Sequence, residues 1–143
     1  MSKLKILIDT NVLLDYLAIR EPFSDLASKV FNYCSQEKIE GYAAVHSFLN
    51  MFFILRKHIP DSNERREKLL DLAEIISIVE VDSGMIMSSL KNKGFKDFED
   101  CVQAECAFRV GADYIVTRNI KDFEQSRIKA VTPEVLIEIL DKE

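Results

Sequence analysis

Four acids and their polar neighbours are the residues of this chain that could do chemistry. Asp9 ends an apolar run (Leu4, Ile6, Leu7, Ile8) in KLKILIDTNVLLD. Asp97 and Asp100 stand three apart in DFEDCVQAECA, and Asn119 and Asp122 follow a second apolar run in ADYIVTRNIKDF. Carboxylates gathered in one place repel one another unless a hard cation sits between them. Mg²⁺ accepts one or two carboxylates and keeps several waters. Such an ion lowers the pKa of a bound water and polarises a phosphoryl oxygen. The chemistry this suits is in-line hydrolysis of a phosphodiester. His46 and His58 are too few for a zinc site, and no Ser–His–Asp set is apparent.

Whether these acids meet depends on the elements that carry them. A strand that is apolar along its length belongs inside a parallel sheet with both faces covered. In open α/β sheets, ligands bind outside the carboxyl ends of such strands. Thr10 and Asn11 are good N-caps for a helix opening with Val12-Leu13-Leu14. The spacing then predicts a helix over 23–36, with Phe23, Leu26, Ala27, Val30, Phe31 and Cys34 on one face and Ser24 as a candidate cap. A short strand over 42–45 is expected to end at His46 and Ser47. An apolar helix over 48–57, containing Asn50, reads as buried on most sides. An amphipathic helix over 64–76 turns Leu69, Leu70, Leu72, Ala73 and Ile76 inward. A strand over 76–81, a short helix over 85–90 and a loop over 92–96 follow.

Asp97 opens a helix that runs to Val110 and stops at Gly111. A fourth strand covers 113–117, a fifth 128–131, and a last helix runs to Leu140 with Thr132 as cap and Pro133 in its first turn. This alternation of strand and helix predicts an α/β fold with a mostly parallel sheet of four to five strands. In a parallel sheet all strand C-termini share one edge, and a helix that leads back into the sheet starts near that edge. Asp97 and Asp100 are therefore expected beside Asp9, with Asn119 and Asp122 just beyond the fourth strand.

Composition sets the bounds. The chain has 143 residues, 48% hydrophobic and 30% charged, which predicts one folded domain over 1–143 and not a disordered chain. Its net charge of −5 argues weakly against a broad phosphate-binding surface. It does not argue against an acidic cluster that recruits a cation and, through it, phosphate. Three cysteines without metal-ligand spacing (Cys34, Cys101, Cys106) read as reduced thiols, which suits the cytoplasm. No run approaches the roughly 20 apolar residues of a membrane span. The stretch MSKLKILID reads as a first strand and not as a signal peptide.

Each acid also has a plainer reading. Asp97 with Asp100 is an N-cap followed by an acid favourable to the helix dipole. Asp9 could cap the next helix, Asp122 could be a solvated loop acid, and Asn119 a turn residue. Cys101 and Cys106 read as core thiols, and the histidines as surface or capping residues. The functional reading gains from the coincidence of the acids at one edge.

The blocks LIDTNVLLDYL and DFEDCVQAECAFRVGADYIVTRNIKDF resemble the PIN domain, over nearly the whole chain from Lys3 to about Leu140. The resemblance implies a three-layer α/β/α sandwich with a central parallel sheet and a Mg²⁺- or Mn²⁺-dependent ribonuclease site. Asp9 matches the family's first-strand acid, and Asp100 the acid that starts the long helix before the fourth strand. Asn119 and Asp122 fall at its last polar or acidic position, and Thr117 matches the hydroxyl that ends the strand. Where the family usually has a glutamate, in the helix after the second strand, this chain has Asn50. Asp97 adds a carboxylate at the same edge. Small members of the family are often the toxin half of toxin–antitoxin pairs similar to VapC, with an antitoxin that binds the toxin and blocks its site. Homodimers are common among them.

The expected function is thus a metal-dependent endoribonuclease, with Asp9, Asp97, Asp100 and Asp122 as catalytic and metal-holding residues. Thr117, Arg118 and Asn119 are the expected substrate contacts. Lys121, Arg56 and Lys57 are further candidates for phosphate contact, and Glu99 is expected to face away. A PIN fold that binds RNA or protein without cleaving is the alternative, favoured by Asn50. A phospho-acceptor signalling domain also places an aspartate at a strand end, but it needs an acidic pair where this chain has Asp9-Thr10-Asn11.

Overall fold

The computed structural model describes residues 3–143; Met1 and Ser2, the start of the segment read against a signal peptide, lie outside it. Five strands form one sheet: β1 (Leu4–Ile8), β2 (Ile39–Ala44), β3 (Ser77–Val79), β4 (Tyr114–Val116) and β5 (Ala130–Val131). Their order is β3-β2-β1-β4-β5, and every pairing is parallel. The helices are α1 (Thr10–Leu17), α2 (Ser24–Ser35), α3 (Val45–Ile54), α4 (Ser62–Ile75), α5 (Ser83–Lys91), α6 (Phe98–Arg109) and α7 (Pro133–Asp141).

The apolar run of β1 makes it the central strand, and side-chain alternation sends its residues to two cores. Ile6 and Ile8 pack with Val12 and Leu13 of α1, Val30 and Phe31 of α2, Met51 of α3, Leu72 of α4 and Leu136 of α7. Leu7 packs on the other face with Ile115 of β4, Met85 of α5, and Val102, Cys106 and Ala107 of α6. This is the expected α/β/α sandwich. Gly41 of β2 is required by packing, because a Cβ there would meet Ile76 Cγ2 at 2.7 Å and Cys34 Sγ at 2.9 Å. Gly111 ends α6 with φ of 69°, the left-handed conformation that glycine adopts without steric cost. The three cysteines are buried free thiols, as expected.

Several boundaries and faces differ from expectation. The second strand starts at Ile39 and stops at Ala44, so His46 and Ser47 lie in the first turn of α3 rather than ending a strand. The third, fourth and fifth strands are shorter than predicted. The apolar stretch of α3 is not buried on most sides: Leu49 is 72% exposed and Phe53 62%, and only Met51 and, beyond the helix, Leu55 are in the core. Leu70 of α4, expected inward, is exposed; that helix instead turns Arg65 in, to donate to Phe52 O at 2.7 Å and cover its ring. Thr10 is helical and Asp9 holds the cap position of α1, without a side-chain capping bond. Ser24 is likewise the first residue of α2, and its hydroxyl donates to Glu21. Thr132 caps α7 as predicted, accepting from Val135 N at 3.1 Å. Among the described residues no helix is long and apolar enough to cross a membrane.

Candidate active site

The chain winds outward from β1 to β2 and β3, then crosses to β4 on the other side of β1. The crevice between the carboxyl ends of β1 and β4 is therefore the switch point where α/β sheets bind ligands. Asp9 follows β1 there, its backbone N–H donating to Val116 O at 3.0 Å. The residue is buried, at 6% exposure. Gln103 Nε2 donates to Oδ1 at 3.0 Å and Thr117 Oγ1 to Oδ2 at 2.9 Å. Burial pushes the Asp9 pKa up, against the pull of these two hydrogen bonds, and the charge of Asp122 adds to the rise.

Asp97 and Asp100 arrive on α6 as the topology required. Asp97 is the N-cap, accepting from Asp100 N at 2.9 Å, so the plain capping reading is also realised. Asp100 is half-buried. Burial first, then the charges of Asp97, Asp9, Asp122 and Glu99, push its pKa up to about 7. Asp122 is exposed in the short 3-10 turn Ile120–Phe123, its backbone N–H bonded to Asn119 O. A cleft of about 240 Å³ is lined by Asp97, Asp100 and Asp122 together with Lys96 and Lys121. Among the described residues, none of these acids is ion-paired with a lysine or arginine.

The other expected contacts divide. Thr117 is fully buried, and its hydroxyl serves Asp9 while accepting from Asn119 N at 3.0 Å. Asn119 is exposed beside it. The Arg118 guanidinium is already engaged: it donates to both oxygens of Asp15, at 2.8 and 3.3 Å, and lies 3.8 Å from the Phe23 ring centre. Arg56, just beyond α3, is folded back onto the end of that helix, bonded to Phe53 O and over the Phe53 ring. Lys57 is exposed. Glu99 does not face away but meets Asn50 of α3, whose Nδ2 donates to Oε2 at 3.3 Å.

Sequence reasoning missed Gln103, Asp15 and Ser47. Gln103 lies one turn after Asp100 on the same face of α6, a spacing that could have found it. Ser47 Oγ meets Thr10 Oγ1 at 2.7 Å and ties α3 to the start of α1.

The chain matches the family model described as PIN domain over residues 5–121. It belongs to the PIN-domain family. No curated protein matches it significantly by sequence. Among solved structures it is similar to DNA-bound VapBC from Salmonella typhimurium, at 18% identity and a TM-score of 0.66, over 91% of this chain and 98% of that one. It is similar to FitAcB from Neisseria gonorrhoeae, at 18% and 0.67, over 90% and 98%. It is also similar to Mycobacterium tuberculosis VapC20, a sarcin-ricin loop cleaving toxin, at 9% and 0.62, over 77% and 86%. At these identities the likeness is one of fold.

PIN domains generally use a divalent metal. Among the described residues no three His, Cys, Asp or Glu side chains converge closely enough to enclose an ion as they stand. The chemistry of the edge nevertheless fits a hard cation. Its donors are oxygens, and among the described residues its carboxylates lack cationic partners and Gln103 Oε1 is a buried acceptor without a donor. An orphaned buried acceptor beside an anion is costly, and water bound to a cation at Asp9 would supply the missing donor.

Proposed function

We propose that this PIN domain is a metal-dependent endoribonuclease acting as the toxin of a toxin–antitoxin pair. The observation that carries the reading is the set of carboxylates without cationic partners, Asp9, Asp97, Asp100 and Asp122, at the β1/β4 crevice. These four would hold Mg²⁺ or Mn²⁺, directly or through water. A cation bound there supplies polarisation of a phosphoryl oxygen and an activated water. Gln103 and Thr117 fix both oxygens of Asp9, so this buried carboxylate needs no reorganisation when a substrate arrives. Burial and the neighbouring acids raise the Asp100 pKa to about 7 in the metal-free protein, and a cation held there would offset that repulsion. Lys121 and Lys96, in the same cleft, offer the charge that a phosphate backbone seeks, and Asn119 and Lys57 stand exposed for contact. Arg118 and Thr117 act through position, since their polar groups are engaged within the protein.

The complexes of VapBC and FitAcB support an antitoxin as partner, and a homodimer is the proposed assembly. The cytoplasm is the proposed location. RNA cleavage with Mn²⁺ by wild type, Asp9→Asn and Asp100→Asn tests the reading. Wild type should cut, and each variant should lose most of the activity. Equal rates would remove the metal-site assignment.

A second reading, a PIN fold that binds RNA or protein without cleaving, is favoured by Asn50, an amide on the α3 side of the site. It predicts RNA binding that EDTA leaves unchanged and no cleavage at any Mn²⁺ concentration.

A further inference from the structure

We infer that Glu99 is a metal-site carboxylate, held on the α3 side of the crevice by Asn50; this rests on the metal-site reading above. Asp9 is at the centre of the acidic edge, Asp97 and Asp100 are on α6, and Asp122 follows β4. The first turns of α3 carry His46, Ser47 and Asn50, none of them an acid. A cation at Asp9 would be bare of carboxylate on that side unless another element reached across.

Glu99 does so. It lies in the first turn of α6, between Asp97 and Asp100, and is bonded to Asn50 Nδ2 at 3.3 Å. Asn50 engages Oε2, and an amide donor orients a carboxylate without neutralising it. Its charge bears on Asp100 and on His46, which places Glu99 between the acid cluster and the start of α3. Among the described residues it has no lysine or arginine within ion-pair distance. An observation independent of the carboxylates points to a cation at this edge: Gln103 is 3% exposed, grips Asp9 through Nε2 and, among the described residues, leaves Oε1 buried without a donor.

Carboxylate and amide are thus exchanged between two helices: α3 carries the amide, and α6 lends the charge. The exchange makes a prediction that a surface glutamate would not satisfy, since the charge should be movable from α6 to α3. Mn²⁺ binding, read by loss of the free-ion EPR signal, would be measured on wild type, Glu99→Gln, Asp100→Asn and the double variant Asn50→Glu/Glu99→Gln. Thermal melts in EDTA would verify folding. Glu99→Gln should weaken Mn²⁺ binding by about tenfold or more, and adding Asn50→Glu should restore most of it. If Glu99→Gln binds like wild type while Asp100→Asn does not, the assignment of Glu99 falls and the metal site stands. If Glu99→Gln is weakened and Asn50→Glu restores nothing, the exchange between helices is overturned. A wild-type protein that leaves the Mn²⁺ signal unchanged overturns the metal site, and this inference with it.

Discussion

Asp9 and Asp15 lie six residues apart in one strand–helix turn, and both are buried, at 6% and 1% exposure. Their surroundings are opposite. Asp15 is held by two guanidiniums, with Arg20 Nε at 2.9 Å and Arg118 Nε at 2.8 Å, and Arg118 is further covered by the Phe23 ring. Asp9 is held by an amide and a hydroxyl, with further acids nearby instead of a cation. The first arrangement is complete and ties α1 to the chain beyond β4. The second places an anion out of water with neutral donors only, which is unfavourable in itself. Asp15 is neutralised within the fold, whereas Asp9 stays short of positive charge, as the proposed cation site requires.

The largest expected effect is at the completed site. Asp15→Ala leaves two guanidiniums facing each other without an anion, and breaking such a buried pair costs about 3 kcal/mol or more. Urea unfolding should show it as a lower midpoint with an unchanged slope. A loss below about 1 kcal/mol, the value of an exposed pair, would make the two aspartates more alike than the comparison holds.

Asp9→Asn should behave in the opposite sense. In EDTA the amide stays in place without a buried charge, so stability should hold or rise. In Mn²⁺ at a hundred times the wild-type Kd, wild type should gain about 2.7 kcal/mol and the variant nothing. A variant that loses stability in EDTA as Asp15→Ala does would break the contrast.

Acidity sharpens it further. The Asp100 carboxyl, at about 7 in the folded protein against 3.8 as a free side chain, keeps its proton when the unfolded chain has lost it. Its stabilising share is whole below pH 3.8 and declines as pH rises towards 7, because there the folded state binds more protons than the unfolded one. The melting temperature in EDTA should therefore fall from pH 5 to pH 8, and Asp100→Asn should flatten the slope. Asp15→Asn should leave that slope in place. The smallest effect is expected of Thr117→Val, which removes one of two donors to Asp9. It should cost about 1–2 kcal/mol at pH 8 and less at pH 5, read from urea midpoints at the two values.

The difference between the two aspartates also marks what was legible in the sequence. Asp9 announced itself at the end of an apolar strand, and Asp97 with Asp100 by their spacing on a helix that feeds the sheet. Asp15 was no less visible in DTNVLLD, but its partner Arg118 lies 103 residues away, a pairing that no local pattern encodes. Arg118 consequently looked like a free phosphate contact. Gln103 carries no charge to draw attention, and only the folded chain shows that its amide grips Asp9. The apolar residues of α3 looked like core because hydrophobicity signals burial without saying on which side. In the fold, Met51 is buried while Leu49 and Phe53 lie at the surface.

If the acidic edge at the β1/β4 crevice holds a divalent cation, the metal-stripped protein should take one up without RNA. Calorimetric titration of wild type and Asp100→Asn with Mn²⁺ reads that uptake. Saturable binding by wild type and none by Asp100→Asn is the predicted result. Equal binding by both, or none by either, would contradict it and return Asp97 and Asp122 to the roles of helix cap and loop charge.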